Sequence, residues 1–196
     1  EGNVSFCNQL NLRVDGTLTF GAADGSSVVN GATGNIYVRQ NGVLHWRAPL
    51  NLVNFDQTDR NVNHFWARGN VWTKMNVAAG GIVCEGTNVL AVAPLALGQV
   101  YQTYTFAPYL DLKGFDQTIS ELIMNDSIEG SVQTVKSTNP ATLTIKNDAD
   151  TTTLRKQGRI DGAVSLRKQG AGNWSFGCRN NATGNVIVEE GTFTVT

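Results

Sequence analysis

The chain has little charge, few prolines and cysteines, and no long apolar run. Net charge is −1 over 196 residues, so there is no basic excess to hold nucleic acid or an anionic membrane surface. No stretch of about 18 apolar residues occurs, which excludes a membrane-spanning helix in this segment. The opening residues EGNVSFCNQLNL lack the basic end and apolar centre of a signal peptide. We expect either a processed product or part of a longer chain. The four prolines argue against a disordered linker. Cys7, Cys84 and Cys178 are too few and too scattered for a disulfide framework, and no CxxC pair marks a metal or redox site. Free, buried thiols are expected, with one disulfide as the alternative.

Apolar residues almost nowhere recur at helical spacing. The best helix candidate, QTISELIMND (117–126), reads equally well as a strand and a turn. The rest consists of short alternating segments between Gly, Asn and Asp turns: LTF, NIYV, LHW, LTI, VSL, WSF, VIV and FTV. Only 16% of residues are charged, against roughly 25% in an average soluble domain, while Asn, Thr, Val and Gly are abundant. This mixture favours strands and tight turns.

The segments keep time. Leu143 and Ile145, Val164 and Leu166, and Val186 and Val188 form one apolar series. Leu154, then Trp174 and Phe176, then Phe193 and Val195 form a second. Both repeat at about 20 residues, the signature of a β-solenoid in which each coil supplies a strand to each face. The expected fold is all-β: a right-handed parallel β-helix with coils of about 20 residues and with Ile145, Leu166 and Val188 in one column. Such stacking explains the scarcity of charge, because like charges about 4.8 Å apart cost about 0.9 kcal/mol even in water. Asn, Thr and Ser stack without that repulsion. The pentapeptide LRKQG, at 154–158 and 166–170, reads as two similar corners: Leu inward, Arg and Lys in water, Gln-Gly starting the turn.

Residues 1–196 read as a single solenoid segment. Within it, 1–109 are degenerate coils with an irregular insertion near 55–72 expected to bulge outward, and 110–196 are the most regular part. ATGNIYVRQNGVL (32–44) is echoed by ATGNVIVEEGTF (182–193), and NFDQT (54–58) by GFDQT (114–118).

In that regular part LDLKGFDQTISELIMN, PATLTI, GRIDGAVSLRKQGAGNWSF and NNATGNVIVEEGTFTV follow one another in the order of the autotransporter-associated β-strand repeat, which the chain resembles well over 110–195 and weakly over 10–52. The resemblance implies a right-handed parallel β-helix displayed outside a bacterial cell, at the surface or secreted. It implies a scaffold with no catalytic residues and no cofactor. The three cysteines depart from that pattern.

Chemistry-bearing residues gather only in DQTDRNVNH, with Asp56, Asp59, Arg60 and His64. The spacing matches no metal-ligand pattern. Two carboxylates flanking a sugar would have to stand roughly 5–9.5 Å apart, so these four are the candidates for a polysaccharide lyase or hydrolase. No nucleophile elbow or phosphate loop occurs. Trp66 and Trp72 are candidates for stacking on glycans. The expected function is a non-enzymatic stalk or adhesin segment. Its expected partners are a host, matrix or glycan surface, and neighbouring repeats or like subunits stacked end to end. The alternatives are a polysaccharide-acting β-helix enzyme and a self-assembling fibre or coat subunit.

Overall fold

Every strand pair in the described residues is parallel and joins segments one coil apart. The computed structural model describes residues 4–21, 27–98, 107–124, 131–153 and 158–196. In these the chain winds as a β-solenoid of about seven turns, with corresponding positions about 23 residues apart and no helix. The candidate helix at 117–126 is instead two strands, Gln117–Ile119 and Glu121–Met124, on either side of a corner at Ser120.

The coils lie on three faces. The first face takes Val4–Ser5, 29–31, 50–52, Gln117–Ile119, 141–146, 164–169 and Val186–Val188. The second takes Gln9–Arg13, 35–39, 54–57, Lys74–Val77, Pro94–Leu97 and Glu121–Met124, then Thr151–Thr153, Asn173–Phe176 and Thr192–Val195. The third takes Thr17–Phe20, Val43–Trp46, Val62–Phe65, Gly81–Cys84, Tyr109–Asp111, 134–137, 159–162 and Arg179–Ala182. The long strands at 29–39 and 134–146 each span a corner, where the pairing register shifts.

Inward side chains stack in columns because successive coils are in register. On the third face one column runs Leu18, Leu44, Asn63, Ile82, Leu110, Val135 and Ile160. On the second, Ile36, Phe55, Met75, Leu95 and Leu122 follow one another. Phe20, Trp46, Phe55, Phe65 and Trp72 make ring-to-ring contacts in the axis of the earlier coils. Trp174, Phe176 and Phe193 do so in the last ones. The two fully buried indoles each find a partner: Trp46 Nε1 donates to Asn63 Oδ1 at 2.8 Å and Trp174 Nε1 to Thr153 Oγ1 at 2.9 Å.

Four expectations need correction. Leu166 stacks on Leu143 and below Val186, while Ile145 and Val188 stand in line with Lys168. The three residues expected in one column therefore share a face, but Leu166 is one inward position away from the other two. Secondly, 55–72 is not a bulge. It holds ordinary strands and sends Phe55, Phe65 and Trp72 into the core, and the steps Val43 to Val62 to Gly81 are the shortest in the column. Thirdly, in the second copy of LRKQG, Arg167 faces outward but Lys168 points inward and is 1% exposed. Its Nζ donates to the backbone carbonyls of Asn147, Gln169, Gly170 and Glu190. Gly170, at φ +80°, turns the chain there. The first copy falls, apart from Gly158, outside the described residues, as does Leu154 of the second apolar series. Fourthly, none of the three cysteines is in a disulfide, and only Cys84 is buried; Cys7 is exposed and Cys178 lies between.

Candidate functional site

The outer surface of the third face carries a dense set of ionisable and aromatic groups, and register explains why. Strand alternation turns every second residue outward, and parallel stacking brings together residues one coil apart. One outward column runs Thr19, His45, His64, Val83, Asp111, Lys136, Asp161 and Asn181. Beside it Trp66 follows Arg47 and Glu85 follows Trp66, each at the residue just past its strand.

From Glu85 onward the groups satisfy one another. His64 Nδ1 lies 2.8 Å from Glu85 Oε1, and Lys113 Nζ lies 2.7 Å from both carboxylate oxygens. Burial opposes the Glu85 charge, but the hydrogen bonds from Lys113 and His64 outweigh it and hold its pKa below the ordinary carboxylate value. Lys136 pairs with Asp111 at 3.6 Å and sits 4.5 Å above the Tyr109 ring. Tyr109 in turn lies over Gly81, where an added Cβ would strike the phenol ring. Arg159 pairs with Asp161 at 2.7 Å, and Asn181 Nδ2 donates to Asp161 Oδ1.

Toward the N-terminal coils the pattern changes. His45 packs edge-on against His64 and Trp66, at ring distances of 5.3 and 4.9 Å. His64 lies nearly parallel to Trp66 at 5.6 Å, and the Arg47 guanidinium sits 4.9 Å above the Trp66 ring. Burial, followed by the neighbouring His64 and Arg47, lowers the His45 pKa. All four side chains are half-buried.

The sequence candidates fall on different surfaces. Asp56 lies outward on the second face, where Asn76 Nδ2 donates to its Oδ1; burial raises its pKa although that bond and Lys74 oppose the shift. Asp59 sits at the corner between the second and third faces and accepts the backbone N–H of Gln40 at 2.9 Å. Arg60 is an exposed residue of the same corner. His64 stands on the third face, bound to Glu85. Thus the sequence cluster is drawn apart by the coil. Trp66 belongs to the aromatic group described above. Trp72, by contrast, is 6% exposed and packs on Phe55 and Phe65, so it offers no ring to a ligand. Tyr101 and Tyr104, also in the middle of the chain, lie outside the described residues. Sequence reasoning missed His45, Glu85 and Lys113. The signal for one of them was present, since Glu85 follows His64 by 21 residues, about one coil.

Fold and surface together define a parallel β-solenoid whose outward side chains are laddered. No protein-family model, curated protein or solved structure matches the chain. The likeness to the autotransporter-associated repeat accordingly rests on the residues quoted for it.

Proposed function

We propose that this chain is a non-enzymatic scaffold: a stalk or adhesin segment of a bacterial surface or secreted protein. The observation that supports this is the use of outward polar groups to bind the next coil. Asn51 donates to Asn30 and Asn54 to Asn35, both at 3.2 Å; Asn76 holds Asp56, and Gln169 donates to Glu189. A β-helix enzyme needs acidic groups converging on an open groove; here Asp56 and Asp59 are each tied to a neighbouring coil and sit on different surfaces. The resemblance of 110–195 to the autotransporter-associated repeat supports display outside the cell.

Two measurements test this reading. Antibody raised against the chain should label intact cells of its source without permeabilisation. The purified chain should release neither unsaturated uronates nor new reducing ends from a panel of polysaccharides. Label confined to permeabilised cells would overturn the surface assignment. Product formation abolished by Asp56→Asn would replace the scaffold with the enzyme.

A further inference from the structure

The outward groups of the third face are paired along most of its length and unpaired at one end. Among the described residues no hydrogen bond or ion pair engages the Arg47 guanidinium, the Trp66 Nε1–H or the ring nitrogens of His45. The neighbouring anion, Glu85, is already engaged by the Lys113 ammonium and by the His64 ring. Arg68, two residues beyond Trp66, is exposed and adds a second cation.

We propose that Arg47, Trp66 and His45 form a binding site for an acidic polysaccharide, with a sugar carboxylate held by Arg47. This deepens the adhesin reading and rests on it only for the setting in which the ligand is met. The Arg47 guanidinium stands over the Trp66 ring with its N–H groups not engaged by another described side chain, and a guanidinium fork matches a carboxylate in bidentate fashion. The indole and imidazole edges supply an apolar surface for sugar C–H groups. Trp66 Nε1–H is a donor for a hydroxyl, and the His45 ring offers a donor or acceptor according to tautomer. The surface is one side of a sheet and not a cavity, which suits an extended, repeating ligand crossing several coils and not a small enclosed one.

The test uses the purified chain and three polymers: polygalacturonate, neutral dextran and polyglutamate, with binding followed by titration calorimetry. Polygalacturonate is expected to bind and the other two to bind at least about tenfold more weakly. Arg47→Gln and Trp66→Ala should each weaken the uronate polymer by about tenfold or more, as loss of a charge-assisted hydrogen bond or a stacked ring does. Arg47→Lys keeps the charge but loses the fork, and should weaken it nearly as much. Arg179→Gln, at the far end of the same face, should leave it unchanged. Because Arg47 is a surface residue, Arg47→Gln keeps the test valid even if the Trp66 variant fails to fold. Equal affinity for polyglutamate would reduce the site to charge alone and overturn the proposal. Failure to bind polygalacturonate, or binding indifferent to Arg47→Gln, would do the same. None of these results depends on where the chain is exported, so the surface assignment and the site can fail separately.

Discussion

Lys168 stands directly on Ile145 inside the first face, and its ammonium is ringed by four backbone carbonyls, two of its own corner and one each from the coils before and after. Its stem fills the apolar column while its head gathers carbonyls of the corner, two of which, Gln169 and Asn147, also accept backbone N–H groups from Asn147 and Gly172. Burial lowers its pKa, and Glu190 and Asp148 partly restore the charge. Lys168→Met keeps the stem and removes the donors, so it should destabilise the chain by about 1–3 kcal/mol. Urea denaturation should show a lower midpoint with an unchanged slope.

The register of the first face has its own test. Thr142 and Ser165 are partners on adjacent coils and both are partly accessible. Parallel neighbours about 4.8 Å apart lie within disulfide range. Thr142→Cys with Ser165→Cys should therefore crosslink under mild oxidation, read as a mobility shift on non-reducing gels. Thr144→Cys with Ser165→Cys, the pairing that would put Leu166 on Ile145, should not.

The two central tryptophans should behave differently. Trp72 is packed among Phe55 and Phe65, and Trp72→Ala should cost about 3–5 kcal/mol. Trp66 lies on the surface, and Trp66→Ala should cost less than about 1.5 kcal/mol, the loss of its ring contacts. Thermal melts of the two variants distinguish them.

Acid should weaken the fold in two steps. The folded pKa of His45 is lowered below 6.5, so the unfolded chain binds that proton first. The contribution of neutral His45 is complete above pH 6.5 and is lost as the pH falls below it. The groups facing it are Thr19, Arg47, His64, Trp66 and Glu85; burial opposes its charging most, followed by His64 and Arg47, while Glu85 favours it. The folded pKa of Glu85 is lowered below 4.5, so its contribution is complete above that value and is lost as the pH falls through the folded pKa. Because Lys113 is 50% exposed, solvent screening keeps that second step below about 1 kcal/mol. Stability measured against pH should lose the upper step in His45→Asn and shrink the lower one in Lys113→Met.

The solenoid was legible because its apolar segments repeat, and no competing pattern of helical period exists. The register was not, and the reason is physical. A strand alternating every two residues fits its neighbour equally well after a slip of two, which keeps every side chain on the same side. Val164 and Leu166 thus read as partners of Leu143 and Ile145, whereas Val164 lies on Ala141. The inward turn of Lys168 was hidden for a different reason: its destination is a ring of carbonyls made by the corner, and no residue type announces that. The echo between 32–44 and 182–193 reflects the same local corner design placed on different faces. Ile36 and Val38 lie on the second face, and Val186 and Val188 on the first. In the candidate site, DQTDRNVNH looked like a cluster because sequence neighbours were weighed together. In a coil the useful neighbours are a full turn away, as His64 and Glu85 are.

The third-face column advances by 19 residues between Val43 and Val62 but by 28 between Gly81 and Tyr109, and yet both steps end in register. Length is therefore a free variable at the corners, while the flat sides are held fixed by stacking. A lineage carrying this architecture can lengthen or trim its edges one coil at a time without repacking the interior. New protrusions beside the Arg47–Trp66 surface would cost the fold little, and variation there is where relatives of this chain should diverge first.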